Sequence, residues 1–458
     1  MFTRHIQPMR RVFFKLAVVM LGCSSIAAAS SATLLLEEPY GKLGFFTATG
    51  HAAVYLSGVC AESPLVVRHC APGETGIVLS RYNGVAGYDW MAIPLIPYLY
   101  AVDRAEDVPL FADAKMVNLL RDRYRRKYLS DIVPDKNGET PGGNWYELVG
   151  SSYDRAIYGF EIETTAQQDD ALIRKYNALP NRSHFRTVSN NCADFTKDVI
   201  NFYYPKALRR SVVADAGITT PKQMAKTLVK FNAHHPELQF SRLVIPQVPG
   251  DLPRSSAVHG VVESFFKSKK YIVPSAIVSP IFAGCVAAVY VGSGAGHFDP
   301  AHNAMVFVAG GDPEKPLARE DRREYQHELK SLVAETSANA SAASADKAWE
   351  KLQSKAQTGF DDQGRPVLEM TVDGNIVRVG VSAANILNGS APPQLVRQLL
   401  EARLQSELRR SPANGISESE VSRDWKMLQQ TVTGDENDGR LAAVRPAPRT
   451  EAIRGNRP

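Results

Sequence analysis

The sequence predicts an α+β fold. A strand-rich stretch over residues 44–102 precedes a run of helical patterns over residues 113–231, and one of those helices opens on a capped cysteine. The strands are "FFTATGHAAVYLSG", "GIVLSRYN" and "DWMAIPLIPYLYAV", where aromatic and β-branched residues are bounded by Gly, Pro and Asn. Among the helices, "DAKMVNLLRDRYRRKYL" (113–129) repeats apolar residues every three or four positions, and "TTAQQDDALIRKYNAL" (164–179) begins with threonine and acidic caps. In "ITTPKQMAKTLVKF" Pro221 sits in the first turn, where its missing N–H costs nothing.

The capped cysteine lies in "SNNCADFTKDVINFYYP" (189–205). Asn191 is a favourable N-cap, and Asp194 three residues later echoes a capping box. Phe195, Val199 and Phe202 follow Cys192 on one helix face, which turns the cysteine toward the core. This α+β domain is expected to span residues 33–250 and to end near the loop "IPQVPGDLPRSS".

With 458 residues the chain has room for two or three domains. Its 44% hydrophobic and 22% charged residues are those of a globular protein, and a formal net charge of +5 is too small to imply nucleic acid. At the N-terminus, Arg4, Arg10, Arg11 and Lys15 precede "LAVVMLG" and the small-residue run "CSSIAAASSATLL", the order of a secretory signal peptide over residues 1–32. Cleavage after Ala29 or Ala32 fits, and lipid attachment at Cys23 is the alternative, for which Met20 is a poor match. The chain is therefore expected in the periplasm or cell envelope, where disulfides persist. Cys60 and Cys70 bracket a short loop that a disulfide would close; Cys285 falls in an apolar run, which leaves Cys192 as the thiol among polar residues.

Residues 271–294, "YIVPSAIVSPIFAGCVAAVYVGSG", carry no charge. Their length suits one membrane span, but Lys267, Lys269 and Lys270 on the exported side, with Pro274 and Pro280 inside, suit an interfacial or buried hairpin equally well. A mainly helical region over residues 310–432 follows, with a small hairpin at "PVLEMTVDGNIVRVGV", and residues 433–458 have the composition of a disordered tail. The basic positions Arg121, Arg123, Arg125, Arg126 and Lys127 read as a solvated helix face, with anionic lipid or wall polymer as the alternative it could meet. His297, Asp299 and His302 match no zinc-ligand spacing, so neither metal nor cofactor is expected.

A cysteine in a first helical turn feels the positive end of the backbone dipoles, which favours thiolate, and its own N–H can face an oxyanion. A base is needed beside it. His51 opens "HAAVYLSG", whose alternation puts His51, Ala53 and Tyr55 on one face of a strand.

Together "GHAAVYL" and "NNCADFTKDV" resemble the permuted papain-like fold, the circularly permuted relatives of bacterial cell-wall cysteine peptidases that include lecithin retinol acyltransferase. The resemblance covers residues 40–240 and implies a papain-like antiparallel sheet packed on helices. It implies acyl transfer or hydrolysis through a thioester, with Cys192 as nucleophile and His51 as general base. It further implies a third polar residue, on the strand after the histidine, that orients the imidazole. If Cys60 and Cys70 tie off a bulging loop, "GIVLSRYN" is that strand and Asn83 arrives opposite His51; if "SPLVVRH" pairs directly, His69 takes the place. Asn83 is preferred because the closed loop explains both cysteines, although an asparagine before Gly84 also suits a plain turn. The expected function is an exported thiol-dependent hydrolase or acyltransferase acting on a peptide, amide or lipid ester of the cell envelope. The alternative is a non-catalytic envelope binding or scaffolding protein that keeps the fold.

Overall fold

The computed structural model describes residues 30–41, 49–292, 297–337, 356–372, 375–387, 393–408 and 415–433. The expected leader up to Ala29, the turn of the C-terminal hairpin and the tail from Gly434 lie outside the described residues.

The chain forms a mixed α+β structure around a seven-stranded sheet. Its strands are β1 (Ser30–Glu37), β2 (His51–Leu56), β5 (Ile77–Ser80), β6 (Met91–Pro94), β7 (Ile157–Thr164), β8 (Ser241–Ile245) and β9 (Met305–Val306). They lie in the order β6-β5-β2-β1-β7-β8-β9, antiparallel throughout except for the parallel pair β8 and β9. Strand β1 starts at Ser30, inside the expected leader, and Ala32 is already paired with Leu56 in mid-sheet. Residues 30–32 of the expected leader are thus part of a central strand, paired with β2 and β7.

The strands are apolar on both faces because both are covered. Leu34, Leu36, Val54, Leu56, Ile77 and Leu79 point to one core, and Leu35, Ala53, Val78, Met91 and Ile93 to the other. On the first side lie the helices α4 (Ala166–Ala178), α5 (Cys192–Tyr203) and α6 (Pro221–Asn232), which contribute Leu172, Val199, Ile200, Met224 and Leu228. On the second side are α1 (Leu95–Tyr100), α2 (Ala114–Tyr128) and the single-turn α3 (Ser151–Asp154).

A hairpin of β3 (Val59–Ser63) and β4 (Val66–His69) is inserted between β2 and β5, and a Cys60–Cys70 disulfide closes it. Its anchor is α4, whose Asn177 side chain both accepts from and donates to the Val67 backbone.

The basic positions of α2 divide: Arg126 and Lys127 are exposed, as a solvated face requires, but two others are not. Arg121 and Arg125 are buried: Arg121 reaches Asp154 and the carbonyls of Val149 and Gly150, while Arg125 binds Asp122, Asp135 and the Val133 carbonyl. They lie four residues apart on the apolar side of the helix, and guanidinium groups can enter a core only when their donors are met in this way.

Beyond the main sheet come α7 (Val261–Lys267), α8 (Lys269–Val278), α9 (Pro280–Gly292) and α10 (Arg319–Ser337). The C-terminal elements are a three-stranded sheet, β10 (Ala356–Phe360), β11 (Pro366–Val372) and β12 (Asn375–Gly380), with α11 (Ala383–Leu387), α12 (Pro393–Leu408) and α13 (Glu418–Thr433). The expected hairpin is thus the β11–β12 pair, widened by β10. Residues 33–250 and 310–432, read separately from the sequence, share one core here: Leu368, Val379, Val396 and Leu399 join Phe111, Met116 and Leu120. Leu110 links the two through its N–H to Val381 and its carbonyl to Arg403.

Candidate active site

The sequence gives α5 its start. Asn191 is the N-cap, its Oδ1 accepting from the N–H groups of Ala193 (2.9 Å) and Asp194 (3.1 Å), and Asp194 returns a bond to the Asn191 N–H. The Asn191 amide also donates to the carbonyls of Thr187 and Thr219 at 3.0 Å, tying the helix start to two loops. Asp194 is held in turn by Thr219, Lys197 and Arg210. Cys192, the first helical residue, is thereby fixed against the beginning of β2.

His51 is the first residue of β2, buried, with its register partner Glu37 beside it on β1. Opposed residues of an antiparallel pair point to one face, so the imidazole and the Glu37 carboxylate share a side of the sheet. His51 Nε2 shares a 3.0 Å hydrogen bond with Ser80 Oγ, and the ring stacks on Tyr82 with centroids 4.1 Å apart. The histidine is thus clamped by an edge contact and a face contact.

The structure brings His51 and Cys192 into one cleft of ≈ 500 Å³, rimmed by Tyr40, Tyr82, Arg155, Phe185 and Thr219. The imidazole bonds Ser80 rather than the thiol. Burial, backed by the nearby Glu37 carboxylate, pushes the Cys192 thiol up to about 11, against the opposing N–H groups of Ala52, Ala193 and Cys192 itself. These N–H groups favour the thiolate, but desolvation outweighs them. Burial, with the Arg155 cation adding to it, holds His51 well below the usual histidine range. The resting pair at neutral pH is a thiol and a neutral imidazole.

Asn83, the preferred orienting residue, lines the cleft but is exposed on a turn, where its carbonyl accepts from Asn144. The reason is register: β2 does pair with "GIVLSRYN", but Val54 stands opposite Leu79, which brings Ser80 to the imidazole and leaves Asn83 beyond the strand end. His69 is on the outer hairpin, 2.6 Å from Asp170 and away from the cleft.

Behind the imidazole lies a buried network that the sequence reading did not include. Tyr98 donates to Glu37 and lies 3.4 Å from the Tyr82 hydroxyl; Arg155 stands 3.3 Å from Glu37 and binds Glu147, which also accepts from Tyr40. Burial raises Glu37, while Arg155 and the Tyr98 hydroxyl oppose it. One signal was visible: Glu37 ends the apolar run "TLLLEE", and a carboxylate at the end of a buried strand needs a buried cation. No such signal marked Arg155, which is 118 residues away in sequence and becomes a neighbour only because β1 pairs with β7.

No family model, curated protein or solved structure matches the chain.

Proposed function

We propose that the protein is a thiol-dependent hydrolase or acyltransferase of permuted papain-like architecture, exported to the cell envelope and acting there on an amide or ester. The observation that carries this reading is the meeting of two element starts, His51 at the head of β2 and Cys192 at the head of α5, in one cleft. The order of histidine strand before cysteine helix and the antiparallel sheet packed on helices support the same architecture.

The chemistry is general-base attack. Ser80 occupies Nε2, so Nδ1 is the nitrogen left to exchange a proton. As the sulfur bonds to the substrate carbonyl carbon, the imidazole takes the thiol proton, and the carbonyl π pair moves onto oxygen. That oxyanion would find a donor in the Cys192 N–H, which faces the sulfur, whereas the Ala193 and Asp194 N–H groups are taken by the Asn191 cap. Collapse of the tetrahedral adduct breaks the bond to the amine or alcohol, which leaves with the imidazolium proton. The thioester on Cys192 then passes its acyl group to water or to an acceptor amine or alcohol, with His51 again as base.

The test is acylation with a short-chain p-nitrophenyl ester. A burst of p-nitrophenol with a mass adduct on Cys192 is expected, absent in Cys192→Ala and slowed at least a hundredfold in His51→Ala. An adduct forming equally fast without His51 would sink the enzyme reading in favour of a binding module.

A further inference from the structure

Helices α8 and α9 bury almost nothing. Beyond Lys269 and Lys270 they are apolar on every side, yet α8 has no buried residue and α9 only Ala283. Ile277, Val278 and Ile281 are 77%, 85% and 82% exposed, and Val273, Phe282 and Val291 lie open beside them. A helix that is hydrophobic all round belongs inside a protein or a membrane. Here the break at Ser279 leaves helices of 10 and 13 residues, and none among the described residues is long and apolar enough to cross a bilayer. At 1.5 Å per residue they reach about 15 and 20 Å, short of the ~30 Å hydrocarbon core but ample for insertion among headgroups and upper acyl chains.

Two further features select the occupant. From Ser264 to Phe298 the sequence contains no acidic residue, and Lys267, Lys269 and Lys270 cluster where the apolar pair begins. Lys267 binds Glu263, whereas Lys269 and Lys270 have no carboxylate partner among the described residues. Cations at the foot of an apolar wedge complement anionic headgroups, and in a like-with-like pairing of two copies they would face only cations.

The wedge is also built as part of the molecule. Phe282 meets Phe265 at 5.8 Å and Tyr290 stacks on Phe266 at 4.6 Å, fixing α9 to α7. A buried pair, Lys222 to Glu263 at 2.7 Å, fixes α7 to α6. The first residue of α7, Val261, lines the Cys192 cleft. Seven residues, about 10 Å of helix, separate the cleft rim from the foot of the wedge.

We propose that α8 and α9 form a one-sided anchor lying in the surface of an anionic bilayer, which holds the Cys192 cleft within about 10 Å of the headgroups. The docking stands on these helices alone. Its consequence, that the amide or ester is carried by a bilayer-borne molecule, rests on the function proposed above.

The experiment uses the full chain with Cys23→Ala and Cys192→Ala, so that an environment-sensitive fluorophore can be placed on Cys285, a free and exposed thiol of α9. Vesicles of phosphatidylglycerol and phosphatidylcholine should shift its emission to the blue and raise its intensity at least twofold, with little response to phosphatidylcholine alone. Ile277→Asp with Ile281→Asp should abolish the response, and Lys269→Glu with Lys270→Glu should weaken vesicle affinity at least tenfold. A dark probe with both vesicle types overturns the proposal, as does an equal response to both. So does a blue shift that grows with protein concentration in the absence of lipid, which would assign the face to a second copy. Failure of the catalytic reading is separable: Cys192→Ala must still dock, and the Ile277→Asp, Ile281→Asp protein with Cys192 restored must still cleave a soluble ester if the catalytic reading holds.

Discussion

His51 Nε2 and Ser80 Oγ lie 3.0 Å apart, so the imidazole is oriented by a serine of the neighbouring strand rather than by Asn83 on the following turn. Replacing Ser80 with alanine removes one hydrogen bond, worth about 1 kcal/mol, and frees the ring to turn on Tyr82. The expected result is a five- to tenfold fall in the acylation rate with an unchanged fold. Asn83→Ala should stay within twofold of the parent, and equal losses in the two variants would refute the assignment.

The acidities of the pair make a pH prediction with a definite sign. A thiol pushed up to about 11 is almost wholly protonated at pH 7, so iodoacetamide should label Cys192 about a hundredfold or more slower than an ordinary thiol near 8.5. Labelling should rise steadily with pH through the range where free cysteine has levelled off. With substrate the base is His51, which stays neutral well below its usual range, so the acid limb of kcat/KM should fall well under pH 6.5.

The same shift enters stability. Because the folded thiol has the higher pKa, its contribution is fully present below the unfolded value near 8.5 and is lost as pH rises toward about 11. Denaturation of Cys192→Ala should therefore lose less stability between pH 8 and pH 10.5 than the parent does.

Asn191 caps the nucleophile helix and also ties two loops to it. Asn191→Ala should cost about 2 kcal/mol, from the lost cap and from carbonyls left unpaired in a buried position. Urea unfolding measures that loss. Acylation should slow as well, because the N–H groups that face the sulfur lose their fixed direction.

The Cys60–Cys70 bridge closes a loop with a sequence separation of 10 in a hairpin away from the cleft. The double substitution to alanine should cost about 2–3 kcal/mol by loop-closure entropy. The acylation rate of the protein that remains folded should be unaffected; a matching loss of rate would mean that the hairpin supports the site.

Much of this protein is legible in its sequence because the signals are local. The cap at Asn191, the box with Asp194, the first-turn Pro221, the alternation that puts His51 with Ala53 and the short loop between Cys60 and Cys70 are all read within about a dozen residues. Capping and strand alternation depend on a few backbone angles, and the residues that satisfy them sit beside one another. What only the tertiary structure decided depends on register and burial. The inserted β3–β4 hairpin hides how far β5 slides along β2, so Ser80 and Asn83 could not be told apart by counting. Arg121 and Arg125 look solvated in a helix pattern until Asp154 of α3 and Asp135 of a later loop arrive. The sulfur's acidity was decided in the same way: a helix start favours thiolate, but burial in the cleft, with the Glu37 charge adding to it, outweighs that, and desolvation is a property of the packed molecule that no short stretch of sequence contains.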